Sequence, residues 1–180
     1  DKNDKVVINS PETAKALEYC KKLYAQMIPG VLSWNDASNN KAFLAGEIHW
    51  TDNGISIYVA AKKDPTKQAI AADMNHAYYP IGPVGKPTEF HLMYPLLAMK
   101  YTKYPNACKA LMAFMLEADQ FNAWLIASQG YLTHTLNAYD KNPVWTADPK
   151  TTPFRDVAKR TLTAGGLGSV GEKAATAIAD

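Results

Sequence analysis

Residues 34–61 read Trp-Asn-Asp-Ala-Ser-Asn-Asn-Lys-Ala-Phe-Leu-Ala-Gly-Glu-Ile-His-Trp-Thr-Asp-Asn-Gly-Ile-Ser-Ile-Tyr-Val-Ala-Ala. Asn35-Asp36 can cap a helix that ends at Gly46, and Glu47 to Thr51 then alternates polar and apolar residues as a half-buried strand does. Asp52-Asn53-Gly54 breaks that run, and Ile55 to Lys62 reads as a second short helix. A strand that enters a polar, glycine-containing turn and opens a helix presents backbone N–H groups and side-chain hydrogen bonders to a small ligand.

Upstream, Ser10 as N-cap, Pro11 at the first helical position and Glu12 in the first turn announce a helix that should run to about Met27 and stop at Pro29-Gly30. Downstream, a polar connection around Asp64-Pro65 leads to a second extended run near Ala77 to Ile81. Residues 82–87, Gly-Pro-Val-Gly-Lys-Pro, exclude regular structure. After an apolar stretch from Phe90 to Tyr101, two helices are expected, about Asn106 to Leu116 and Ala118 to Gln129, with Gly130 as C-cap. Asn142-Pro143, Asp148-Pro149 and Thr152-Pro153 chop the remainder into turns and short helices, with Trp145 and Phe154 as anchors. Several helices with three or four short strands point to α/β or α+β, and the helix-rich balance argues against all-β.

The 180 residues, 47% hydrophobic and 20% charged, suit one well-filled soluble domain and not long disorder. The formal charge of +2, with both signs interleaved, leaves no electrostatic footprint for nucleic acid. No apolar run is long enough to cross a bilayer, so direct membrane insertion is not expected. The N-terminus, Asp1 to Lys5, lacks the apolar core of a signal peptide, which a mature or shortened chain would also lack. Cys20 and Cys108 lie far apart among apolar neighbours without metal spacing, which leaves buried thiols or one disulfide open.

Residues 166–171, Gly-Leu-Gly-Ser-Val-Gly, have the spacing of a dinucleotide-binding fingerprint, but no buried strand precedes them and no acidic residue follows at the required distance. No cofactor is therefore expected. His49, His76, His91 and His134 are scattered with no i, i+4 pair and no cysteine partner, so no metal site is expected. Glu47, Asp52, Glu89 and Asp119 could serve a hydrolase, yet nothing in their spacing pairs them, and Ser56 lacks the second glycine of a nucleophile elbow. No catalytic residue is assigned. Four tryptophans and ten tyrosines, many beside Asn, Ser, Thr or Gly, are the richer signal, because sugar C–H faces pack on rings while sugar hydroxyls need hydrogen bonds. Trp124, on a helix with Phe121 and Leu125, reads as core. Trp34 and Tyr94 sit in or beside loops and read as ligand contacts as readily as packing residues.

Several stretches resemble the family 1 extracellular solute-binding proteins of bacterial ABC importers, the periplasmic sugar-binding group that includes maltose-binding protein. They are residues 8–17 (Ile-Asn-Ser-Pro-Glu-Thr-Ala-Lys-Ala-Leu), 42–46 (Ala-Phe-Leu-Ala-Gly), Asn53-Gly54, 79–83 (Tyr-Pro-Ile-Gly-Pro), 110–117 (Ala-Leu-Met-Ala-Phe-Met-Leu-Glu) and Gly130-Tyr131. Their order and spacing extend the resemblance over nearly the whole chain.

The resemblance implies two α/β lobes joined by hinge strands, in proteins roughly twice this length, with solute held in the cleft between them. It casts residues 1–180 as a single C-terminal lobe without the N-terminal lobe and the last helices. The expected fold is then a helix-rich α/β lobe with a small mixed sheet, residues 1–141 forming the main lobe and residues 142–180 a wrapping segment. By the same resemblance Asn53, Gly54 and Ser56 form the ligand-binding turn and helix start, with Trp34, Asn39, Tyr94 and Tyr131 around them. Ile55-Ser56 stands where larger sugar binders often carry an aromatic residue, which argues against long oligosaccharides. The implied partners are a small-molecule solute, expected to be a sugar, and the permease subunits of an ABC transporter. The implied location is periplasmic, or extracellular and membrane-associated in a Gram-positive organism. The competing readings are a carbohydrate-active hydrolase domain and a structural interaction module.

Overall fold

A computed structural model describes residues 6, 8–87, 89, 96–134 and 136–156. The chain divides after Thr51 into two compact units, and the described parts of the two lie within residues 6–51 and 52–156. The described residues are helical, and no strand occurs among them. The expected α/β lobe with a small mixed sheet is therefore corrected. Glu47 to Thr51 and Ala77 to Ile81, both read as extended, carry no β-ladder among the described residues. Alternation reports which side chains turn inward, but a strand also needs a neighbouring strand to take its N–H and C=O groups.

The first unit contains α1 (Pro11–Tyr24) and α2 (Ser38–Leu44). Ser10 Oγ accepts the Thr13 N–H at 3.2 Å, and hydrogen bonds from its own backbone N–H and from Ser10 hold the Glu12 carboxyl below its usual range. Helix α1 ends three residues before the expected Met27. Its last turn tightens into i to i−3 bonds, Gln26 N–H to Leu23 O at 2.9 Å and Met27 N–H to Tyr24 O at 3.1 Å. Asn35 caps the approach to α2, its Oδ1 accepting from the Ala37 N–H at 3.1 Å and the Ser38 hydroxyl at 3.0 Å. Gly46, at φ +76°, stops α2. There the Gly46 and Glu47 N–H groups return to Phe43 O and Ala42 O at 3.0 and 2.9 Å, closing the end in the way that needs a left-handed residue.

The second unit begins with α3 (Ser56–Lys63), whose Ile57, Tyr58, Val59 and Ala61 are buried. Helix α4 (Gln68–Asp73) follows, where a polar connection was expected. The Gln68 amide makes it possible by donating to the last carbonyls around α3: Ala61 O, Lys62 O and Asp64 O at 3.2, 3.1 and 2.9 Å. Helices α5 (Pro105–Met115) and α6 (Ala118–Ala127) lie close to their expected bounds. Phe121 and Leu125 of α6 pack with Tyr139 and Trp145, flanked by Val144 and Phe154. Trp124, expected in the core, instead lies at its rim, 38% exposed.

The segment expected to wrap the lobe supplies the centre of this core. Trp145, on the helical turn α7 (Pro143–Thr146), is 1% exposed, and α8 (Thr152–Arg155) brings Phe154 beside it. Room for the indole comes from Gly130. A Cβ at that position would lie 2.8 Å from the Trp145 ring, and φ there is +75°. Gly130→Ala should therefore combine backbone strain with overpacking and lower stability by about 2 to 4 kcal/mol, read from the midpoint shift in urea unfolding.

Candidate functional site

The exposed start of α3 carries the polar groups that its sequence promised. Ile55 is 4% exposed and anchors the turn, while Asn53 and Gly54 remain at the surface. Asn53 Nδ2 donates to Ser56 Oγ at 2.8 Å and to Gly54 O at 3.0 Å. Ile55, the residue at the N-cap position, is apolar and makes no side-chain cap. The extended run before Gly82 brings Tyr79 to the same rim. Burial and a hydrogen bond to Asp52 raise its phenol to about 12. Asp52 and Tyr79 thus join Asn53 and Ser56 as hydrogen-bonding groups on one edge of the second unit.

The remaining expected contacts do not all meet there. Tyr131 is in the second unit, 55% exposed, just beyond Gly130, and no described hydrogen bond or ring contact joins it to Asn53. Trp34 and Asn39 belong to the first unit. Trp34 is half-buried, and Asn39 Nδ2 donates to Thr51 Oγ1 at 3.1 Å. Tyr94 lies outside the described residues, as do His91 and residues 166–171. Tyr79 was not singled out as a contact, although it opens the Tyr-Pro-Ile-Gly-Pro stretch that carried part of the resemblance.

Behind this rim, α3 faces a network centred on Asp148. Its Oδ2 accepts from the Tyr58 hydroxyl at 2.5 Å and from Lys62 Nζ at 3.2 Å, and its Oδ1 accepts from the Lys150 N–H at 3.1 Å. Burial works to raise the Asp148 carboxyl, but these hydrogen bonds outweigh it and hold the group below its usual range. Tyr58 is pushed the other way, to about 12, by burial and then by the carboxylate it serves. The His76 ring packs edge-on between Tyr58 and Phe154 at centroid distances of 5.3 and 4.7 Å, with Nδ1 2.9 Å from Lys150 O. Burial keeps it below the ordinary imidazole range and so neutral. His134 packs in the core with Nε2 2.7 Å from Asp140, and His49 is exposed. Among the described residues no three His, Cys, Asp or Glu side chains converge as a metal site.

Residues 1–153 match the family model of the bacterial extracellular solute-binding proteins, and the chain belongs to that family. The family is the solute-binding arm of ABC transporters, which take small-molecule solutes and work outside the cytoplasmic membrane. No curated protein and no solved structure matches the chain closely enough to count as a relative. Among the described residues no helix is long and apolar enough to cross a membrane.

The two raised phenols set an alkaline limit on the second unit. An unfolded tyrosine ionises near 10.0, whereas folded Tyr58 and Tyr79 hold their protons to about 12. Their contribution is complete below the unfolded value and is lost as pH rises through the folded one. Melting temperature should fall between about pH 10 and 12, and Tyr58→Phe should make that fall shallower.

Proposed function

We propose that the chain is one lobe of a receptor that captures a carbohydrate or a related polar solute and delivers it to the permease of an ABC importer. The supporting observation is the rim at the start of α3. There Asn53, Ser56, Asp52 and Tyr79 offer amide, hydroxyl and carboxylate hydrogen bonds. Hydroxyl-rich ligands need that mixture of donors and acceptors on adjacent atoms. In this reading Asn53, Gly54 and Ser56 make the first contacts, and Tyr131 of the same unit adds a further one as the lobe closes over solute against a second lobe. The chain binds and releases its solute unchanged.

The reading is tested by calorimetry on the full-length protein with monosaccharides, disaccharides and polyols. One class should bind, and Asn53→Ala should weaken it about tenfold, the loss of roughly one or two hydrogen bonds. The side chain is exposed, so the melting temperature should hold. Turnover of the sugar would defeat the receptor reading, and silence across all three classes would defeat the carbohydrate assignment.

A further inference from the structure

The solute rim contains one step of the chain that is chemically reactive. Asn53-Gly54 is the single Asn-Gly pair in the sequence. An asparagine amide can be attacked by the backbone nitrogen of the residue that follows it, and a side chain on that residue obstructs the approach. Glycine has no side chain to do so. Folded proteins suppress the attack by locking the step in a helix, by burying it, or by engaging the attacking N–H in a hydrogen bond.

Asn53 and Gly54 are both exposed and lie ahead of α3. Among the described residues the Gly54 N–H makes no hydrogen bond. A Cβ at Gly54 would meet nothing within 4 Å, so the space beside the attacking nitrogen is open. The Asn53 side chain is turned forward towards the same peptide, its Nδ2 donating to Gly54 O at 3.0 Å and to Ser56 Oγ at 2.8 Å. Elsewhere the same chemistry is guarded. The Asn75 Oδ1 accepts the His76 N–H at 2.9 Å, which occupies the nitrogen that would attack. Asn35 precedes Asp36 and is held by the Ala37 N–H and the Ser38 hydroxyl. Asn142 precedes proline, which has no N–H to lose.

We infer that Asn53 is a site of spontaneous modification, converting to aspartyl and isoaspartyl forms through a cyclic imide. Solvent hydroxide takes the Gly54 amide proton, and the nitrogen bonds to Asn53 Cγ. The Cγ–Nδ2 bond breaks, and Nδ2 takes up a proton from water and leaves as ammonia. Water then opens the imide. Opening at Cγ gives aspartate, whereas opening at the main-chain carbonyl gives isoaspartate, in which the chain runs through the side chain. In sum one water is consumed and one ammonia released. Either product replaces an amide that donates to Gly54 O and Ser56 Oγ with a carboxylate that only accepts. On the receptor reading proposed above, the exchange removes a first solute contact. The chemistry is measured without solute, so the modification and the receptor reading can fail separately.

The full chain is incubated in warm, mildly alkaline buffer, digested with trypsin and followed by mass spectrometry with fragmentation that separates aspartyl from isoaspartyl. Residues 42–62, released by cleavage after Lys41 and Lys62, hold Asn53 as their only side-chain amide. This peptide should gain the mass of an amide-to-acid exchange and split into the two forms, while Asn35 and Asn75 keep their amides. Gly54→Ala should slow the conversion about tenfold, because a Cβ obstructs the attack. The open space at that position should leave the melting temperature unchanged. Conversion of Asn53 no faster than that of Asn35 and Asn75 overturns the inference. A product without isoaspartate, or an unchanged rate in Gly54→Ala, also overturns it, because the cyclic route requires both.

Discussion

The Asp148 carboxylate holds the second unit together. It takes a hydroxyl and an ammonium from α3 and a backbone N–H from its own turn, joining residues about ninety positions apart in sequence. Beside it, Lys150 reaches back to the end of α4, and His76 sits between Tyr58 and Phe154. Position and orientation of α3 are set by this cluster as much as by its buried apolar face. The polar turn at the start of α3 is carried on a base whose far end is tied down, and a fixed base allows hydrogen-bonding groups to be preorganised.

The aromatic core next to it follows a different logic. Trp145 enters a space left by the missing side chain of Gly130, against Leu125, with Phe121 and Tyr139 rings 4.6 Å apart beside it. Polar ties close the edges: the Tyr139 hydroxyl donates to Leu116 O at 2.9 Å, and Asn142 Nδ2 donates to Asn122 Oδ1 at 2.7 Å. Shape complementarity at one glycine thus couples the end of α6 to α7.

What could be read from the sequence was local. Ser10-Pro11, Asn35 and Gly46 encode their helix ends through bonds spanning two to five residues, and each was legible. Helices α5 and α6 were legible from their periodicity. The sheet was a misreading, because Glu47 to Thr51 has a strand's alternation and, among the described residues, no strand beside it. Helix α4 was hidden because its six residues are tied to α3 by packing and by the Gln68 amide on the last carbonyls of α3, neither of which composition reveals. The candidate site divides along the same line. Asn53 and Ser56 are close in sequence and hydrogen-bonded to each other, whereas Tyr79 reaches Asp52 over a distance that no motif encodes. Asp148 was invisible as a hub, since its partners come from α3.

Three turns of the second unit share one construction: Asp64-Pro65, Asn142-Pro143 and Asp148-Pro149. In each, the side chain before proline accepts the N–H two residues on, at 2.8, 2.9 and 3.1 Å. Proline has already surrendered most of its rotational freedom in the unfolded chain, so these bends cost less entropy to form than ordinary loops. They can assemble before any distant partner arrives. What these bends leave to be found is the long-range contact itself, between Asp148 and Tyr58 about ninety residues away.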